Sequence, residues 1–143
     1  MNGVLIDTSF WFALAVASDA KHQQASDITR AMQRQGDLWL TTTMILAEMH
    51  RLVLYKVGTW AGNRFLAQIT KQTETGFLKV VAISWDHISI ARIILDKYSD
   101  LPLSLTDACS AAVMRELNLE KYAGYDEHFQ LLGFAQVAAS NSL

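Results

Sequence analysis

The chain has 143 residues, 51% of them hydrophobic and 18% charged, which excludes a disordered segment and fits one domain, residues 1–143. No apolar run reaches the roughly 18 residues of a membrane span, and MNGVLID lacks the basic and long apolar stretches of a signal peptide, so neither is expected. The single cysteine, Cys109, excludes an internal disulfide and suits the cytoplasm, while a formal charge of -2 gives no basic footprint for a nucleic acid.

GVLID opens the chain as a short buried strand, apolar without alternation up to Asp7. TSFWFALAVAS continues as a helix, and Ser18-Asp19 restarts a second one. There Ala25, Ile28, Ala31 and Met32 recur at helical spacing and Gly36 marks the stop. LWLTTT reads as a second strand. Thr42 or Thr43 then caps a helix through about Val57, with Gly58 just after it. WAGNRFLAQITK is helical, and FLKVVAIS is a third strand. Trp85 to Tyr98 has helical periodicity through Ile88, Ala91, Ile94 and Leu95. Pro102 ends one element, and Ser104 or Thr106 starts the next in SDLPLSLTDACSAAVMRELN. KYAGY, DEHFQLLG and FAQVA read as strand, short helix and strand. Alternating strands and helices predict a parallel sheet covered on both faces. No linker, repeat or low-complexity segment divides the chain.

Against this frame four acids stand out: Asp7, Glu48, Asp107 and Asp126. Each lies at a strand end, a helix start or the border of an apolar stripe. An isolated carboxylate loses several kcal/mol on desolvation, so such acids are paired or hold a cation. Four hard oxygen donors converging from separate elements make a Mg²⁺ or Mn²⁺ site. Open parallel sheets bind ligands at the carboxyl ends of their strands, where Asp7 and Asp126 fall.

Each acid also has a plainer role open to it. Asp7 can cap the helix that follows, and Asp126 can cap DEHFQLL. Glu48 can pair with Arg51 three residues on. Asp107 can complete a Ser104-x-x-Asp107 capping box. Four such coincidences together are less economical than one site. Removing the four from the 14 acids leaves 10 against 12 Lys and Arg, a balance of +2, so the charge does not oppose a nucleic-acid substrate.

The strings LIDTSFW, AEMH, LSLTDACSAAVMREL and YDEHFQLLGF resemble the PIN domain, especially its VapC-type bacterial toxin branch, in order and over essentially the whole chain. The resemblance implies a three-layer α/β/α sandwich around a mainly parallel five-stranded sheet. It implies a Mg²⁺-dependent endoribonuclease, Mn²⁺ substituting, whose four family acids correspond to Asp7, Glu48, Asp107 and Asp126. It further implies a homodimer and a cognate antitoxin protein, as in VapBC-type toxin–antitoxin pairs. An RNA-processing nuclease without a toxin role, and an inactive PIN-like binding module, are the alternatives. One departure is visible: the family carries Ser or Thr two residues before its last acid, and this chain has Gly124. If that hydroxyl orders a water, Tyr125 or Thr106 is the candidate replacement.

On this reading Asp7 and Asp107 are the principal ligands, with Glu48 and Asp126 completing the site directly or through water. Single-stranded or loop RNA is the expected substrate, since base edges are accessible there and buried in A-form duplex. Thr8 and Ser9 are helix-capping residues that can also donate to the carboxylates or to phosphate. Arg51 and Arg115 are the nearest basic candidates for backbone phosphate. His22, His50, His87 and His128 are scattered, so a zinc site is not expected. Cys109 lies among Ala108, Ala111 and Ala112 as a packed core thiol. Trp60, Phe65, Leu66 and Ile69 form an apolar face suited to a dimer partner, an antitoxin or the core. An aspartyl phosphotransferase is discounted because Ser9 stands where its second Asp is needed, and no Gly-rich phosphate loop is present.

Overall fold

The apolar run of β1 (Gly3–Ile6) is buried on every residue, and it forms the centre of a sheet. A computed structural model describes residues 2–138. Its five strands run in the order β3-β2-β1-β4-β5, with β2 (Leu38–Thr42), β3 (Leu78–Val81), β4 (Lys121–Ala123) and β5 (Ala135–Gln136). All four pairings are parallel, and Leu5 of β1 sits opposite both Leu40 of β2 and Tyr122 of β4. The sheet is thus wholly parallel. Its strand order reverses at β1, which places the ligand-binding switch point at the carboxyl end of that strand.

The helices are α1 (Thr8–Ala15), α2 (His22–Gln35), α3 (Thr43–Lys56), α4 (Thr59–Glu74), α5 (Trp85–Lys97), α6 (Leu105–Glu116) and α7 (His128–Leu131). They flank the sheet, with α1 packed on α2 and α3, α3 on α4, and α5 on α6. None is long and apolar enough to cross a membrane.

Their ends follow the local chemistry. Gly36 takes φ 71°, a left-handed conformation that suits glycine, and closes α2. The Thr42 side chain accepts from the Ile45 amide at 3.1 Å and so starts α3. The second helix begins later than Ser18-Asp19. There the Asp19 carboxylate accepts from the Lys21 amide at 2.9 Å, and its carbonyl accepts from His22. That local turn competes with the helix and delays it to His22.

The core is centred on β1 and its neighbours. Trp39 of β2 packs against Phe10, Trp11 and Phe77, with ring centroids 5.1–6.3 Å apart. Thr41 accepts from the Trp11 indole at 3.2 Å and donates to the Ile6 carbonyl at 3.1 Å, satisfying two buried polar groups next to the site. Cys109 is fully buried among the alanines of α6. Of the α4 face, Phe65 and Ile69 belong to the core, while Trp60 remains 72% exposed.

Candidate active site

Asp7 follows β1 and continues its pairing, because its amide donates to the Ala123 carbonyl at 2.9 Å. Its own carbonyl accepts from the Phe10 and Trp11 amides, which opens α1. The residue occupies the N-cap position, yet its side chain makes no capping hydrogen bond. Instead the carboxyl is buried at the switch point, with the residue 4% exposed. Its pKa is pushed up to about 7. Burial is the largest cause, the Thr8 amide partly offsets it, and the charges of Asp107, Glu48 and Asp126 raise it further. Asp7 therefore feels all three of the other acids singled out in the sequence.

Asp107 performs the plainer role. Ser104 accepts from the Asp107 amide at 3.0 Å, and Asp107 Oδ2 accepts from the Ser104 amide at 3.1 Å. This capping box fixes the carboxylate at the start of α6. The group is half-buried, and its pKa is raised by burial and by the charges of Asp126 and Glu48, against the opposing Ser104 hydrogen bonds.

Asp126 lies in the turn after β4. Its Oδ1 accepts from the His128 amide at 2.9 Å, and its carbonyl accepts from the hydroxyl of buried Tyr122 at 3.0 Å. The N-cap of α7 is Glu127, not Asp126. Tyr122 lies close to the acids, and its pKa is pushed up to about 12 by burial and then by Asp126, Asp7 and Glu127.

Glu48 is exposed on α3. Arg51 lies over the Tyr55 ring at 5.3 Å, and no ion pair joins it to Glu48 among the described residues. In that set no Lys or Arg pairs with any of the four acids. Carboxylates with no Lys or Arg partner are what a divalent cation neutralises, and the hard oxygen donors fit Mg²⁺ or Mn²⁺.

Two features were missed in the sequence. The first is His128, whose donor atom lies with those of Asp107 and Asp126, all within 4.8 Å of one another. Its signal was the two-residue spacing from Asp126. The second is the fit of Gly124 against Asp7. A Cβ at position 124 would stand 2.9 Å from Asp7 Cβ and 3.4 Å from Ser9 Oγ. The backbone approaches here too closely for a side chain. Ser9 Oγ accepts from the Tyr125 amide at 2.8 Å, so it ties α1 to this turn and does not cap its own helix.

Tyr125 does not replace the family hydroxyl. Its ring stacks on Phe10 at 6.3 Å, and the carboxylate that raises its pKa, after burial itself, is Asp19 and not one of the four. Thr8 Oγ1 is buried beside Asp7 without a hydrogen-bond partner. The remaining histidines are committed elsewhere. His22 Nδ1 meets the Ala13 carbonyl at 2.7 Å, and His87 joins Ser84 to Glu116. His50 packs on Gly62 between α3 and α4.

The chain resembles proteins of known description over nearly its full length. Two relatives from Mycobacterium tuberculosis, strains CDC 1551 / Oshkosh and H37Rv, are each named 23S rRNA-specific endonuclease VapC20. Each is 27% identical over 139 residues, covering 94% of this chain and 97% of the relative. The crystal structure of Mycobacterium tuberculosis VapC20, titled a sarcin–ricin loop cleaving toxin, matches with a TM-score of 0.84 at 29% identity. That match covers 95% of this chain and 99% of the other. The PIN domain family model matches residues 4–135, from the first strand to the last, and the chain belongs to the PIN domain family.

Proposed function

We propose that this chain is a divalent-cation-dependent endoribonuclease, with Asp7, Glu48, Asp107 and Asp126 as its catalytic carboxylates. One observation carries the reading. Asp7 is a buried acid at a switch point whose pKa is raised by burial and by the charges of the other three acids, and no Lys or Arg pairs with any of the four among the described residues. Mg²⁺ would be held by Asp7 and Asp107, with Glu48 and Asp126 completing the set directly or through water, and Mn²⁺ can take its place. When bound, such a cation lowers the pKa of a coordinated water and neutralises charge on the phosphate oxygens.

The protein's own groups do the positioning. The capping box holds Asp107, the β1–β4 pairing holds Asp7, and the Tyr122 hydroxyl holds the turn that bears Asp126. Either Glu48 or Asp126 would orient the attacking water in line with the scissile phosphate. Thr8 Oγ1 is available to donate to a carboxylate or to phosphate. Arg51 and Arg115 are exposed and supply backbone-phosphate contacts on the approach.

The substrate is RNA in a loop or single-stranded region, and the likeness to a sarcin–ricin loop cleaving toxin makes a structured rRNA loop the first candidate. The protein acts in the cytoplasm as a homodimer and as the toxin of a VapBC-type pair, with residues 1–143 as one domain. Its antitoxin docks on the groove of about 390 Å³ where Leu14, Val53, Val57, Trp60 and Phe65 meet Arg64 and Gln68. The test is cleavage of a sarcin–ricin stem-loop RNA beside stem-loops with altered loop sequence. A single loop cut in the first RNA supports the reading. Equal, unpositioned degradation of all of them rejects the loop-specific nuclease.

A further inference from the structure

Imidazole nitrogens in folded proteins end up on water, on a hydrogen-bond partner or on a metal. His128 Nδ1 is shielded from solvent, although the side chain as a whole is 32% exposed, and it makes no aligned hydrogen bond among the described residues. It nevertheless lies 2.9 Å from Asp126 Oδ1. The two atoms are at hydrogen-bond distance but not in hydrogen-bond alignment. Two donors bound at right angles to one ion, at about 2.0–2.2 Å each, stand about 3 Å apart. The Nδ1–Oδ1 separation is therefore the spacing of neighbouring ligands on a shared cation. Asp107 supplies a third donor: one carboxylate oxygen from each acid and a ring nitrogen of His128 all lie within 4.8 Å of one another.

We propose that His128 is a direct ligand of the cation through Nδ1, beside Asp126 and Asp107. This rests on the reading that the acids hold a metal, and it adds a nitrogen to a set so far described as all oxygen. The local turn prepares it. The His128 amide donates to Asp126 Oδ1, which fixes the carboxylate and the ring on the same side of Asp126–His128. The rings of His22 and His87 are engaged by other groups, and His50 packs on Gly62, so among the described histidines His128 alone brings a ring nitrogen to the acids. An imidazole ligand favours transition ions over Mg²⁺, so His128 biases the site toward Mn²⁺.

The experiment is pulsed electron paramagnetic resonance of Mn²⁺ bound to the full chain, prepared with ordinary and with ¹⁵N-labelled histidine. Calorimetric titrations of Mn²⁺ and Mg²⁺ accompany it. The expected spectrum shows coupling to a directly bound imidazole nitrogen that changes isotope with the label. The coupling vanishes in His128→Ala and persists in His50→Ala. In His128→Ala, Mn²⁺ affinity falls on the order of tenfold or more, while Mg²⁺ affinity falls less. Tight Mn²⁺ binding without imidazole coupling in the wild type overturns the assignment and leaves the carboxylate site standing. Binding of Mg²⁺ but not Mn²⁺ also overturns the His128 assignment alone, and failure of the wild type to bind either ion overturns both. The labelled wild type decides the question even if a variant misfolds.

Discussion

Gly124 and Asp7 are in backbone-to-side-chain contact so close that a single methyl group at position 124 would stand 2.9 Å from Asp7 Cβ. The atom it meets is anchored to the strand end and cannot swing away. Gly124→Ala therefore moves Asp7 or the turn that carries Asp126. Overpacking of this kind destabilises by about 1–3 kcal/mol. The expected outcome is a lower Tm together with weaker metal binding. Gly124→Ser, although it restores the family hydroxyl, is expected to lose activity for the same reason. A Gly124→Ser protein with higher cleavage and unchanged Tm would show that the close packing does not matter.

Asp7 titrates near 7 in the folded protein, against an ordinary value of 3.8. Between those two values the folded state binds more protons than the unfolded one. Stability of the metal-free protein therefore falls as pH rises from about 4 through about 7, and then levels off. Asp107 is raised too and acts in the same direction. Cation binding displaces these protons, so metal affinity is expected to rise with pH across the same window. Asp7→Asn removes the buried charge and is expected to flatten the slope and raise the metal-free Tm at pH 8. Thermal melts of both proteins from pH 4 to 8 check this, and a wild-type Tm that climbs from pH 5 to 7 would contradict it.

Ser104→Ala removes half of the capping box that fixes Asp107. Loss of such a cap costs about 1 kcal/mol. A cap with no part in the site lowers Tm alone. Here cleavage and metal affinity are expected to fall as well, because the Asp107 carboxylate is no longer held. Ser104→Thr keeps the hydroxyl and is expected to restore most of both.

Trp60 is 72% exposed on the rim of the groove, with Arg64 over its ring at 5.2 Å. A protruding tryptophan of this kind commonly anchors a partner, and its truncation costs about 2 kcal/mol or more in binding. Trp60→Ser is expected to weaken capture of the co-expressed antitoxin at least tenfold while leaving Tm and RNA cleavage unchanged. Unaltered affinity, measured by titration calorimetry, would move the antitoxin to another face.

Much of this arrangement is legible in the amino-acid sequence. Asp7 was placed by the buried run that precedes it, because an apolar strand ending in an acid has few other meanings. Thr42 and Gly36 announced helix ends through local chemistry, and the Ser104–Asp107 box was readable for the same reason. The four acids stood out as a set by their positions beside apolar segments, and the family resemblance supplied their convergence, since spacing along the chain does not fix convergence in space. What escaped was tertiary. His128 looked isolated because its partner Asp107 is 21 positions away, and Gly124 looked like a lost hydroxyl because its contact with Asp7 crosses from β1 to the turn after β4. The start of α2 was misplaced because Asp19 spends its side chain on a turn.

The most direct test is cleavage of bacterial RNA by the antitoxin-free protein with Mg²⁺ or Mn²⁺ and with EDTA, comparing wild type with Asp7→Asn. The prediction is discrete cuts that require the cation and fall by at least a hundredfold in the variant, with both proteins folded. Cuts that persist in EDTA, or that Asp7→Asn makes as fast as the wild type, would contradict a cation-dependent nuclease built on Asp7.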